Sequence, residues 1–143
     1  MRTIAGALLC AALGSAAAAE PYPDSLIREG DAAQPLVTRP LDTALETDSG
    51  LQTRLKKYAP AGQCPRPYVA TWEAREGKLY LVKLETDACS KARSVPLSLL
   101  FPGKQSPVEA SWFTGTLKTE KSTAVMYVTG GTISATIERQ KGK

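Results

Sequence analysis

The sequence predicts a mainly β domain: a single antiparallel meander of about five strands, curled into a sandwich or small barrel, with one short helix against it. Three observations carry this. From Pro67 onward the chain is rich in Val, Ile, Thr, Tyr and Trp, and its apolar residues tend to recur at every second position, the spacing of half-buried strands. Glu76-Gly77 and Gly130-Gly131 are two-residue turns of the kind that join hairpins. The clearest repeat at helical spacing is one stretch after Ser49.

Taken in order, the chain opens with Arg2, an uncharged apolar run from Ile4 to Leu13, and Ala17-Ala18-Ala19 before Glu20-Pro21. This is the form of a secretory signal peptide, residues 1–19, cleaved after Ala19. The run is shorter than the roughly 20 apolar residues of a membrane span, so no transmembrane segment is expected. Leu9 stands before Cys10 where a lipoprotein signal needs a small residue. The expected location is the periplasm or the exterior.

Residues 20–48 read as an extended acidic leader, and residues 49–143 as a single β-rich domain. Pro21, Pro23, Pro35 and Pro40 punctuate the leader. Within it Leu36-Val37-Thr38 suits a short edge strand, and Pro40 to Leu45 a short helix with proline in its first turn. Residues 20–50 hold seven acids against Arg28 and Arg39, a net of −5, while residues 51–143 hold fifteen Lys and Arg against seven acids, a net of +8. Such a leader is either solvated or laid against the basic body.

Ser49-Gly50-Leu51-Gln52 has the form of a capping box. Leu51, Leu55 and Tyr58 follow on one helical face, Arg54, Lys56 and Lys57 favour the C-terminal dipole, and Pro60 and Gly62 end the helix.

Cys64 and Cys89 remain after signal removal, and an exported pair reads as a disulfide. With Glu76-Gly77 as the turn, each cross-strand pair of the hairpin sums to 153 in residue number, as do the two cysteines. A bridge of this span contributes about 3–4 kcal/mol by restricting the unfolded chain. Further on, Val95 to Phe101 suits a strand or a single helical turn. Val108 to Lys118 alternates, with Val108, Ala110 and Trp112 on one face and Phe113 and Leu117 on the other. Strands from Ala124 to Thr129 and Thr132 to Arg139 flank Gly130-Gly131, with Val125, Tyr127, Ile133 and Ile137 as their apolar faces.

The chain has no His and no Asn. That removes the usual serine and cysteine triads, imidazole proton shuttles and His-ligated metals, and two cysteines are too few for structural zinc. Neither a metal nor any other cofactor is expected. The mild net charge of +4 is far below that of a nucleic-acid binder. Glu73, Glu76, Glu85, Asp87 and Glu109 show nothing to mark a catalytic pair. Trp72 and Trp112 are expected in the core, whereas Tyr80 and Phe113 alternate to the opposite face and are candidate binding residues. Arg75 and Lys78 are further candidates, from the densest basic group of Arg66, Arg75, Lys78, Lys83, Lys91 and Arg93.

Tyr68-Val69-Ala70-Thr71-Trp72-Glu73, Gly77-Lys78-Leu79-Tyr80-Leu81, Leu100-Phe101-Pro102 and Ala110-x-Trp112-Phe113-x-Gly115-x-Leu117 form an ordered set over residues 66–118. The set resembles that of small exported bacterial proteins of uncharacterised function sharing a W-E…GKLYL…LFP…A-x-WF-x-G-x-L pattern. Their Gly-Tyr-rich downstream stretch is replaced here by Tyr127-Val128-Thr129-Gly130-Gly131. The resemblance implies a shared β-rich fold and no site residues. The sequence therefore points to a non-enzymatic periplasmic protein that binds a protein partner, an immunity or inhibitor role being one concrete form. A carbohydrate- or lipid-binding envelope module is the alternative, and a carboxylate-based hydrolase the least favoured reading.

Overall fold

The hairpin between the two downstream cysteines is the spine of the fold. The computed structural model describes residues 22–59, 64–121 and 123–138; the expected signal peptide and its cleavage point lie outside them. In chain order the elements are β1 (Asp24–Arg28), β2 (Gln34–Leu36), α1 (Pro40–Thr47), α2 (Ser49–Tyr58), β3 (Val69–Arg75), β4 (Lys78–Thr86), β5 (Arg93–Ser94), α3 (Leu97–Leu100), β6 (Val108–Glu109), β7 (Gly115–Lys118), β8 (Ala124–Thr129) and β9 (Thr132–Glu138). The protein is mainly β, with a nearly closed, barrel-like sheet ordered β2-β1-β3-β4-β9-β8-β7. The two-residue strands β5 and β6 pair with β4. Leu36 bridges Thr119, and Val37 N–H donates to Lys118 O at 2.8 Å, so the two ends of the sheet meet. Nine strands and three helices thus stand among the described residues where the sequence predicts about five and one. The extra strands β1, β5 and β6 are two to five residues long, too short for a period of two to be read, while the edge strand expected at Leu36-Val37-Thr38 forms as β2 at Gln34–Leu36.

Arg75 pairs with Lys78, and the 153 register holds from there to Trp72 opposite Leu81. A bulge between Thr71 and Trp72 then leaves Val82 unmatched, and Val69 pairs with Glu85, one position off. Cys64 and Cys89 are nevertheless joined, with their Cα atoms 5.6 Å apart. The irregular segments beyond the ladder bring the cysteines together, not its register.

The N-terminal segment departs furthest from expectation. Residues 24–47 are not an extended leader: they form β1, β2 and α1. β1 lies parallel to β3, Leu26 opposite Trp72, and antiparallel to β2, so the sheet is not a pure antiparallel meander. Leu26, Leu36, Leu41 and Ala44 are all buried. This apolar set anchors the acidic stretch inside the domain, and no boundary falls at residue 49. Pro40 opens α1 as expected.

α2 has the predicted span, but Asp48 caps it: its Oδ1 accepts from Leu51 N–H at 3.0 Å. Ser49 is already helical, so the Ser49–Gln52 capping box does not form. Leu51 and Leu55 are buried and Arg54 Nε donates to Leu100 O at 2.8 Å, tying α2 to the single turn of α3.

The predicted strand over Val108 to Lys118 is broken. Phe113 N–H donates to Ala110 O at 3.0 Å, a turn that separates β6 from β7 and cancels the alternation. Trp112 therefore stacks on Phe101 with ring centroids 5.4 Å apart, meets Trp72 edge-on and donates from Nε1 to Pro40 O. The β8–β9 turn docks on this corner. Gly131 N–H donates to Phe113 O, and Gly131 O accepts from Leu79 N–H. With φ at +80° and a would-be Cβ 2.8 Å from Ala110 O, position 131 admits only glycine. On β8 it is Ala124, Met126 and Val128 that are buried. Val125 and Tyr127, predicted as the apolar face of this strand, lie on the other side.

Candidate functional site

Three of the four candidate binding residues come together on the outer surface at the β3–β4 tip. Arg75 lies over the Tyr80 ring at 5.1 Å and pairs with Glu73 at 3.7 Å, while Lys78 pairs with Glu109 at 3.4 Å. Phe113 does not join them. It is 4% exposed, because the 110–113 turn swings its ring inward, so it is not part of this outer surface.

Five of the six cations of the basic group, all but Lys91, are shown paired with acids. Lys83 lies 3.3 Å from Glu85, and Arg93 reaches Asp87 at 2.7 Å. Arg66 is not on the surface at all. It is 6% exposed and ion-paired at 3.0 Å with the fully buried Asp24. Asp24 also accepts from Ala70 N–H and Trp72 Nε1–H, both at 3.1 Å. Burial pushes its carboxyl above the usual carboxylate range, opposed by the Arg66 charge and by these hydrogen bonds. Arg66 in turn donates to Tyr22 O at 3.0 Å and covers the Tyr68 ring at 4.9 Å, though its buried Nη2 has no hydrogen-bond partner among the described residues. Tyr68 donates its hydroxyl proton to Asp42 on α1. This network pins the N-terminal strand and α1 to the hairpin, which makes it a fastening within the fold.

A different surface stands open. Val125 is opposite Ile137 and Tyr127 opposite Ala135. Lys118 of β7 is opposite Val125, and its carbonyl holds Val37. Val125 and Tyr127 of β8 with Ala135 and Ile137 of β9 thus form an outward apolar cluster, and Val37, just past β2, lies on the same face beyond Lys118 of β7. Val37 is 55%, Tyr127 42% and Ile137 54% exposed. They make up three of the five exposed large hydrophobics among the described residues. Every residue from Ala124 to Val128 is apolar, so alternation marks no inner face, and the cluster is not evident from the sequence.

A cleft of about 440 Å³ lies between α1 and α2. Leu45, Leu55, Ala59 and Pro67 give it apolar walls, and Asp42, Glu46, Gln52 and Lys56 stand around them. Among the described residues no group of three or more acids or cysteines is placed to hold a metal ion, and no helix is long and apolar enough to cross a membrane. Comparison of the chain with known protein families, curated proteins and solved structures finds no match.

Proposed function

We propose that this is an exported, non-enzymatic envelope protein that binds a partner protein through the outer face of β2, β7, β8 and β9. The observation that carries this reading is the clustering of Val37, Tyr127 and Ile137 on one face. Exposed apolar residues scattered singly are ordinary, but several gathered on one face of a sheet mark an interaction surface. The ion-paired cations at the hairpin tip are less suited to attract an acidic partner, since each brings its own counter-charge. The disulfide supports the export reading, because such bridges persist in oxidising compartments.

The test is affinity capture from envelope extract of the native host, comparing the wild type with Val37→Asp/Lys118→Glu. Both positions are on the surface, so the variant keeps the wild-type circular dichroism. The expected result is one protein recovered at near-stoichiometric amount by the wild type and lost with the variant. Equal recovery by both, or recovery of nothing by folded bait, overturns the proposal.

The α1–α2 cleft favours a second reading, an accessory module holding an apolar ligand. Saturable binding of a fluorescent fatty-acyl probe, weakened by Leu45→Asp, is the outcome that reading requires. A probe that shows no saturation removes it.

A further inference from the structure

One edge of β9 is without a strand neighbour over most of its length among the described residues. On one side β9 pairs with β8 along its length, but on the other only Thr132 pairs, with Lys78 of β4. Ile133 N–H still donates to Gly77 O at 2.8 Å; beyond it, Ser134 to Glu138 have no ladder partner on that side among the described residues. All five are exposed. Natural edges are blunted by Pro, by Lys or by a covering element. Thr132–Glu138 contains neither Pro nor Lys. Beside this edge is an open cleft of about 280 Å³, lined on the β9 side by Ile133 and Thr136.

Charge identifies what fits there. The cleft carries Glu29 and Asp31 beyond β1 and Glu76 at the β3–β4 tip, where Glu76 N–H donates to Glu29 Oε1 at 3.3 Å. Arg28, the cation of this group, is engaged by Glu138 at 3.5 Å. The sequence after β9, Arg139-Gln140-Lys141-Gly142-Lys143, holds three cations and no acid. We infer that β9 pairs antiparallel with β9 of a second copy of this chain, placing the basic tail of each copy against the acidic cleft of the other.

A two-fold axis near Thr136 sets Ser134 opposite the second copy's Glu138. The end of each copy's β9 at Glu138 then lies beside the start of the partner's β9, close to the partner's hairpin tip and Glu76. The arrangement is isologous, so the favourable charge contact occurs twice. Ala135 and Ile137 of one copy come beside the same residues of the other, joining the two outer clusters. An acidic partner strand fits less well, since it would meet Glu29, Asp31 and Glu76. The inference rests on the edge and not on the partner-binding face, and it survives failure of that proposal.

Sedimentation of the purified, disulfide-intact protein tests it. A concentration-dependent monomer–dimer equilibrium is expected, weakening with added salt as exposed charge pairs are screened. Ile137→Lys sets two cations near the axis and raises the dimer dissociation constant by roughly tenfold or more. Ile137 is half-exposed, so circular dichroism stays as in the wild type. Glu76→Lys and Lys141→Glu each weaken the dimer, and the double variant recovers affinity. A monomer at every accessible concentration overturns the inference, as does a dimer indifferent to Ile137→Lys and to both charge reversals.

Discussion

Tyr68 is held at both ends of its ring, by Arg66 over the face and Asp42 at the hydroxyl. Burial, then the Asp42 hydrogen bond, raises its pKa far above that of a free tyrosine. The unfolded chain releases this proton near pH 10 while the folded protein keeps it, so the stabilisation is complete below about pH 10 and is lost as pH rises beyond it. The slope is about 1.4 kcal/mol per pH unit. Tyr68→Phe should cost about 1 kcal/mol at neutral pH and flatten the alkaline loss, as read by urea denaturation in a pH series. Nothing in the local sequence identifies this network. Asp24 counts among seven leader acids, and its partners Ala70 and Trp72 stand 46 and 48 positions away. Only the fold distinguishes a buried acid from its solvated neighbours.

The two hairpins were legible as elements because their turns and strand composition agree. What sequence periodicity does not carry is the corner between them. Val108 to Leu117 keeps an alternating pattern, yet the chain turns at Ala110 to place Trp112 on Phe101, a packing gain that alternation cannot foresee. Gly131 records the close approach of β8–β9 to that corner. Gly131→Ala should cost about 2–3 kcal/mol, because left-handed backbone strain and contact with the Ala110 carbonyl act together. Gly130→Ala, whose Cβ meets nothing nearer than 3.8 Å, should cost only about 1–2 kcal/mol. Thermal denaturation of the pair separates the contact from the conformational penalty. Both variants showing the same loss would dissociate the corner from the glycine requirement. The helix α2 was equally legible from its spacing, and its cap misassigned by one residue because Asp48 and Ser49 are both good capping types; only backbone conformation decides between them.

For the whole molecule, the mainly β class follows from composition and turns, but closure does not. The disulfide, the two hairpins and most of the core residues lie after Tyr58, where short-range pattern is strong. The N-terminal strands are short, proline-marked and acidic, so they resemble a tail until their buried leucines are seen in place. The candidate face was missed for a related reason: it is built from three strands of the C-terminal half and the end of β2, and no segment shows it alone. The bridge between Leu36 and Thr119 also has a bearing on time. A chain emerging from its N-terminus can pair β1 with β2 at once, but β1 gains its parallel neighbour only when β3 exists, and the far side of β2 gains one only when β7 has followed. Pairings between such distant segments fold slowly, in milliseconds to seconds rather than microseconds. The outer side of β2 must therefore wait, without its neighbour, until the chain has been made past Thr119.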